Sequence, residues 1–188
     1  MPILKSEPTI FPDNLLDGRG VEIDPERSWL VAYTISRREK DLARKLFTKQ
    51  IPFYLPIVQQ QFRSPSGRRQ TAFLPLFPGY VFLRAGEGER TSILQTNCVS
   101  QLLPVTIPDE LEFDLRQVLQ LTKSGAPLEL EAKLEPGTPV RIISGAFQGF
   151  EGTVVKRQSG DRLLVSIRYV QQGISFSLEG CQVEPISF

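Results

Sequence analysis

Histidine is absent from the 188-residue chain, and cysteine is nearly so, present only as Cys98 and Cys181. The first absence removes the side chain whose unperturbed pKa lies near neutrality and which most often ligates transition metals. Ser-His-Asp triads, Cys-His pairs and His-ligated zinc are therefore excluded. Two cysteines cannot build a four-sulfur site and fit no disulfide framework, so they read as two small buried thiols of an intracellular protein. No apolar run approaches the ~20 residues of a membrane span, and Met1-Pro-Ile-Leu-Lys-Ser-Glu-Pro lacks the long apolar stretch of a signal peptide. Phosphate loops are missing too. There is no Gly-x-x-x-x-Gly-Lys-Ser/Thr stretch, and Gly18-Arg-Gly20 and Gly86-Glu-Gly88 lack the third glycine of a dinucleotide loop. The carboxylate pair Asp109/Glu112 is better explained by helix-start charge than by acid-base chemistry. The expectation is a soluble cytoplasmic protein that is not an enzyme and carries no metal or cofactor.

What is present is a folded composition, 40% hydrophobic and 23% charged, with charge unevenly placed. The net charge of +1 conceals a first segment (1–27) at −3, a middle segment (28–123) at +5 and a last segment (124–188) at −1. Within the middle, residues 37–90 hold eleven basic and four acidic residues, a local +7. A basic run of this kind is either a solvated face or an anion-binding surface.

Residues 1–27 contain four prolines and two glycines without periodicity and read as a flexible or loosely docked extension. Trp29 to Ile35 is β-branched and aromatic, the pattern of a buried strand. Ser36 and Glu39 have capping-box spacing for a following helix. Leu42, Ala43, Leu46 and Phe47 form its apolar stripe, with Arg37, Arg38, Lys40, Arg44, Lys45 and Lys49 on the wet side. Phe53–Phe62 and Gln70–Leu74 read as strands joined by Arg63-Ser-Pro-Ser-Gly-Arg-Arg69, a polar turn-rich loop. A Pro78-Gly79 turn launches an aromatic strand to Leu83. A short helix is expected near Thr91–Gln95, a strand at Val99–Leu103, and a second long helix capped by Asp109 and Glu112 with Leu111, Leu115, Val118 and Leu119 buried. Residues 124–137, with Pro127, Pro136 and three glutamates, read as a linker. From 138 onward, six glycines punctuate short β-rich runs, as in a small barrel of about five strands.

The fold class expected is thus α+β: an N-terminal α/β sandwich on a mainly antiparallel sheet over 28–123, a linker, and a small β-barrel over 138–188. Six glycines spread through residues 140–184 also argue for a constitutive barrel and against a helical hairpin there.

Val140-Arg-Ile-Ile-Ser-Gly-Ala-Phe-Gln-Gly-Phe-Glu-Gly-Thr-Val154 resembles the KOW motif. Together with Trp29–Ile35, the helix after it and Pro75-Leu-Phe-Pro-Gly-Tyr-Val-Phe-Leu83, it makes the chain similar to the NusG family of transcription elongation factors, including RfaH-like antiterminator paralogues. The resemblance implies a monomer that binds the RNA polymerase clamp helices through its N-terminal domain, suppresses pausing or termination, and recruits a partner through its KOW domain. The implied docking residues are Phe77, Tyr80 and Phe82, although Tyr80 and Phe82 share a strand face and suit a plain core equally. Thr91 and Ser92 fall where the family faces the opposite jaw of the cleft, or cap a helix. Arg37, Arg38, Lys40, Arg44, Lys45, Arg68 and Arg69 would contact upstream or non-template DNA through phosphates. In the KOW domain, Val170 stands where the family carries a partner-binding phenylalanine and Gln172 where it carries an arginine. Tyr169 is left as the aromatic anchor toward Rho or the ribosomal protein that acts as NusE. Cys98 replaces a frequent glycine. The alternative is a ribosome-associated or RNA-binding KOW protein, disfavoured by the −1 charge of the last segment.

Overall fold

The computed structural model describes residues 8–17, 26–63, 67–131, 137–157 and 160–186. Residues 1–7 and 18–25 of the expected extension, 64–66 of the arginine loop and 132–136 of the expected linker lie outside the described residues. The chain divides into two compact units, Met1–Pro108 and Asp109–Phe188.

The first unit comprises β1 (Ile10–Phe11), β2 (Ser28–Thr34), α1 (Glu39–Thr48), β3 (Phe53–Tyr54), β4 (Ile57–Arg63), β5 (Arg69–Pro75), β6 (Tyr80–Ala85), α2 (Glu87–Leu94) and β7 (Val99–Pro104). Five strands form an antiparallel sheet in the order β1-β3-β6-β2-β7. Strand alternation sends Leu30, Ala32, Val81 and Leu83 to one face. There they meet Leu42, Ala43 and Leu46 of α1 and Ile93 of α2 in one buried cluster. The four-residue apolar rhythm of α1 thus sits on the sheet as its periodicity predicts.

Several sequence expectations change. The extension is docked where it is described: Ile10–Phe11 pairs with β3, Phe11 stands edge-on to Phe47 at 5.3 Å, and Leu15 and Leu16 are buried. Isolated apolar residues among prolines carry no periodicity, so the sequence left docking and flexibility both open. The run Phe53–Phe62 is two strands, because Leu55 turns its N–H to Thr9 O and Pro56 has none to give. Helix α1 lacks the Ser36/Glu39 capping box and starts at Glu39, with Arg38 as N-cap and no side-chain cap bond. Helix α2 begins four residues before Thr91, capped at Gly86, whose N–H donates to Glu89. Glu89 also takes both Arg27 donors, at 3.0 and 2.6 Å.

The second unit contains α3 (Pro108–Ser124), β8 (Glu129–Glu131), β9 (Thr138–Ser144), β10 (Glu151–Arg157), β11 (Gly160–Ile167), β12 (Gln172–Ser177) and β13 (Gln182–Pro185). Its antiparallel sheet runs β13-β9-β10-β11-β12-β8. That is one strand more than expected, because Glu129–Glu131 of the expected linker pairs with Gly173–Ser175. Arg162 is buried on this sheet, bonded to Ser175 Oγ and O and paired with Glu129 at 3.4 Å. The long helix groups with this unit rather than with the first. It starts at Pro108, a favoured first helical residue, and its Gln117 Oε1 accepts the N–H of Glu151 at 2.8 Å. Leu111, Leu115 and Val118 are buried as expected, whereas Leu119 is half-buried and Leu121 takes the inward place. The fold class is α+β.

Candidate docking and binding sites

In the first unit, the Pro78-Gly79 turn precedes β6. Gly79 adopts φ +86, a region other residues enter only with strain, and a Cβ there would stand 3.2 Å from the Tyr33 ring. Its N–H donates to Glu39 Oε1 at 2.7 Å and its carbonyl accepts from Thr34 N at 2.8 Å. The turn is therefore clasped between the end of β2 and the start of α1. Above it, Tyr33 pairs directly with Tyr80 in the strand register, with ring centroids 5.3 Å apart. Tyr33 is 44% exposed and Ile35 47% exposed, while Tyr80 is half-buried. Phe77 and Phe82 are fully buried and edge-on at 6.3 Å. They belong to the packing, and of the three aromatics expected for docking only Tyr80 reaches the surface. Tyr33 and Ile35 were missed because a β-rich run reads as core along its whole length. Their alternation with buried Thr34 at the strand end is the signal that would have found them.

The basic residues of α1 are less free than their helical spacing suggests. Asp41 gathers Arg38 at 3.1 Å, Arg44 at 3.7 Å and Lys45 at 3.4 Å. The Cys98 thiol donates to Asp41 at 3.3 Å, and Lys45 Nζ donates to the Cys98 sulfur at 3.3 Å and to Thr96 O at 2.8 Å. The Cys98 thiol, with Lys45 and Arg38 after it, holds the Asp41 carboxyl below its ordinary value against the opposing effect of burial. The Cys98 sulfur and Asp41 raise the Lys45 ammonium. Lys45 is thus an internal tie, whereas Arg38 and Arg44 keep more than half of their side-chain surface exposed in bridges worth roughly 0–1 kcal/mol. Arg37, Arg68 and Arg69 are exposed and Lys40 is half-buried. Thr91 is exposed within α2, and Ser92 accepts from Lys49 Nζ at 2.8 Å, so neither caps the helix.

In the second unit, the glycine-rich turn after β9 is closed by Gly149 N to Ile142 O at 2.8 Å and Ile142 N to Phe150 O at 2.9 Å. It presents Phe147, half-buried, 4.6 Å from Phe176 and 5.7 Å from Phe150. Val170 is buried and Tyr169 half-buried, in a short 3-10 turn. Phe147 was missed, although a large aromatic inside a Gly-x-Phe-x-Gly turn is itself a hint of a presented side chain. Cys181, expected to be buried, is half-buried. A cleft of about 580 Å³ beside α3 is lined by Asp109, Glu110, Asp114 and Glu151, a charge set that repels phosphate.

Residues 27–116 match the family described as "Transcription termination factor nusG". This span carries the tyrosine pair, the clasped turn and the basic helix. The curated protein "Transcription termination/antitermination protein NusG" of Pseudomonas aeruginosa is 25% identical over 178 residues, covering 85% of this chain and 99% of its own length. Over this span the chain is similar to the NusG family. NusG-family proteins are transcription elongation and termination factors. A solved chain described as "Crystal Structure of MjSpt4:Spt5 complex conformation B" is 19% identical and covers 85% of this chain and 99% of its own, at a TM-score of 0.28, too low to bear on either fold. Among the described residues no helix is long and apolar enough to cross a membrane.

Proposed function

We propose that this protein is a NusG-family member and a cytoplasmic, non-enzymatic elongation and antitermination factor. It binds the RNA polymerase clamp helices through its first unit and recruits a partner through its second. The observation that carries this reading is the Tyr33–Tyr80 pair, with Tyr33 and Ile35 exposed and Tyr80 half-buried, set beside a turn that Glu39 and Thr34 fix from both sides. A rigid aromatic surface of this kind suits a helical partner, because tyrosine supplies large contact area at little entropic cost. Phe77 and Phe82 support the face from beneath. Arg37, Arg38, Lys40, Arg44, Arg68 and Arg69 supply phosphate contacts to upstream or non-template DNA, and Thr91 and Ser92 meet the opposite side of the polymerase cleft. In the second unit, Phe147 and Tyr169 are the aromatic anchors for a ribosomal protein acting as NusE, or for Rho, with Val170 packed below. The parts that act are the α/β unit that ends at Pro108 and the KOW-like sheet from 138. Alanine at both Tyr33 and Tyr80 should weaken capture of RNA polymerase at least tenfold while circular dichroism stays unchanged. Undiminished capture by the folded double variant would overturn the reading.

A further inference from the structure

The cleft of about 580 Å³ beside α3 falls within the roughly 300–1,000 Å³ of small-molecule sites and has no part in the function proposed above. Helical spacing puts Asp109, Phe113, Asp114 and Gln117 on one face of α3, facing Thr153 of β10 and Ser166 of β11 across the cleft. Glu110 and Glu151 add carboxylates, and no lysine or arginine lines the space. Arg141 Nε donates to Glu151 Oε1 at 2.8 Å, so the negative end is the one formed by the helix. Carboxylates alone would attract any cation, and two further features narrow the choice. Gln117 is only 7% exposed; its Oε1 accepts the Glu151 N–H at 2.8 Å, while its Nε2 has no partner among the described residues. A buried amide donor at a cleft calls for an oxygen acceptor, which an ammonium group is not. Phe113, 38% exposed, supplies an apolar wall for a carbon frame. A bare metal ion would use neither the donor nor the ring, and no acidic group among the described residues is gathered closely enough to hold one.

We propose that this cleft binds a small organic cation that carries hydroxyl groups beside its ammonium groups, the chemistry of an amino sugar. The ammonium groups lie at Asp109, Glu110 and Asp114, a hydroxyl oxygen accepts from Gln117 Nε2, and the carbon face of a ring rests on Phe113. The hydroxyls of Thr153 and Ser166 meet the remaining polar groups. Nothing in this depends on polymerase capture, which can succeed or fail without bearing on it. The test is titration calorimetry and amide chemical-shift mapping of the full chain with kanamycin, which has ammonium and hydroxyl groups, with spermidine, which has amines alone, and with sucrose, which has hydroxyls alone. Kanamycin should bind most tightly and sucrose not at all, and the amides of Gly152, Thr153 and Ser166 should shift. Phe113→Ala should weaken kanamycin roughly 2- to 10-fold and Asp109→Asn roughly 2- to 5-fold, and both side chains are exposed, so the fold survives their loss. Gln117→Glu keeps an acceptor for the Glu151 N–H but turns the amide donor into a carboxylate, so it should weaken kanamycin and strengthen spermidine. Spermidine binding the parent as tightly as kanamycin would reduce the cleft to a patch of negative charge. That outcome, absence of kanamycin binding, or kanamycin affinity unmoved by Phe113→Ala and Gln117→Glu would each overturn the proposal.

Discussion

The Glu39 carboxylate accepts the backbone N–H of Gly79 at 2.7 Å, joining the first turn of α1 to the turn before β6 across forty residues of sequence. Glu39 is buried, so its carboxylate is not a surface helix charge but the acceptor for a donor that has lost its water. Glu39→Ala would leave that donor unsatisfied and should destabilise the protein by about 1–3 kcal/mol. Glu39→Gln keeps an acceptor oxygen and should recover at least half of the loss. Urea unfolding of the two variants checks this, and equal losses would show that the charge rather than the acceptor matters.

Gly79 has two reasons to resist substitution. Its positive φ strains any L-residue, and its missing Cβ leaves room for the Tyr33 ring. Gly79→Ala should cost about 1–2 kcal/mol and push Tyr33 away from Tyr80. The tyrosine ring shifts in an NMR spectrum report the displacement directly. Unmoved rings with unchanged stability would mean that the turn is more compliant than its bonds imply.

Asp41 gives the protein an acid-side stability dependence. Its folded-state pKa lies below the ordinary 3.8, so its contribution is present above that value and is lost as pH falls through the lower folded value. Lys45 acts in the opposite window: its raised pKa gives stability that is present below 10.5 and lost as pH rises through the folded value. Cys98→Ala or Asp41→Asn should flatten the decline in unfolding free energy as pH falls below the ordinary carboxylate value of 3.8. A parent and an Asp41→Asn variant with the same acid-limb slope would contradict this.

Much of the first unit was legible because periodicity and burial agree there. The apolar stripe of α1, the strand from Trp29, the Pro78-Gly79 turn and the strand after Val99 stand where their residues suggested. The capping box was not legible correctly, since Ser36-x-x-Glu39 has the right spacing but Glu39 finds a better donor far away in sequence. Two more errors share that cause. No apolar periodicity surrounds Phe11, whose docking depends on Phe47, and Glu129–Glu131 becomes a strand only because the edge of β12 offers it bonds. The same holds for the site. Charge marked α1 as basic, but only the geometry shows Asp41 and Cys98 drawing Lys45 inward. Aromatic content marked the turn, but burial separates Tyr80 from Phe77 and Phe82.

Gly152 sits where β10 meets both neighbours, and a Cβ there would run into Leu164 O and stand 3.0 Å from the Leu163 side chain. The first contact is backbone, which cannot swing aside. Gly152→Ala should therefore cost about 3 kcal/mol or more, whereas Gly149→Ala, with open space around its Cβ but a positive φ, should cost only about 1–2 kcal/mol. Thermal unfolding followed by β-sheet circular dichroism ranks the two. A Gly149 variant less stable than the Gly152 variant would show that backbone conformation, rather than interstrand crowding, governs this sheet.

Phe147 separates packing from recognition in the second unit. It lies against Phe176 and Phe150 but remains half-buried, so truncation removes one ring from an aromatic cluster without opening a closed cavity. Phe147→Ala should destabilise the unit by about 1–2 kcal/mol, and Phe147→Leu by less. Phe176, which is 1% exposed, is the control: alanine there should cost about 3–5 kcal/mol. If Phe147 serves recognition, its alanine variant should lose capture of the ribosomal protein or Rho at temperatures where the sheet is fully folded, and Tyr169→Ala should add to the loss. Capture that falls only in step with unfolding would assign Phe147 to packing alone and leave the half-buried Tyr169 as the aromatic anchor of the second unit.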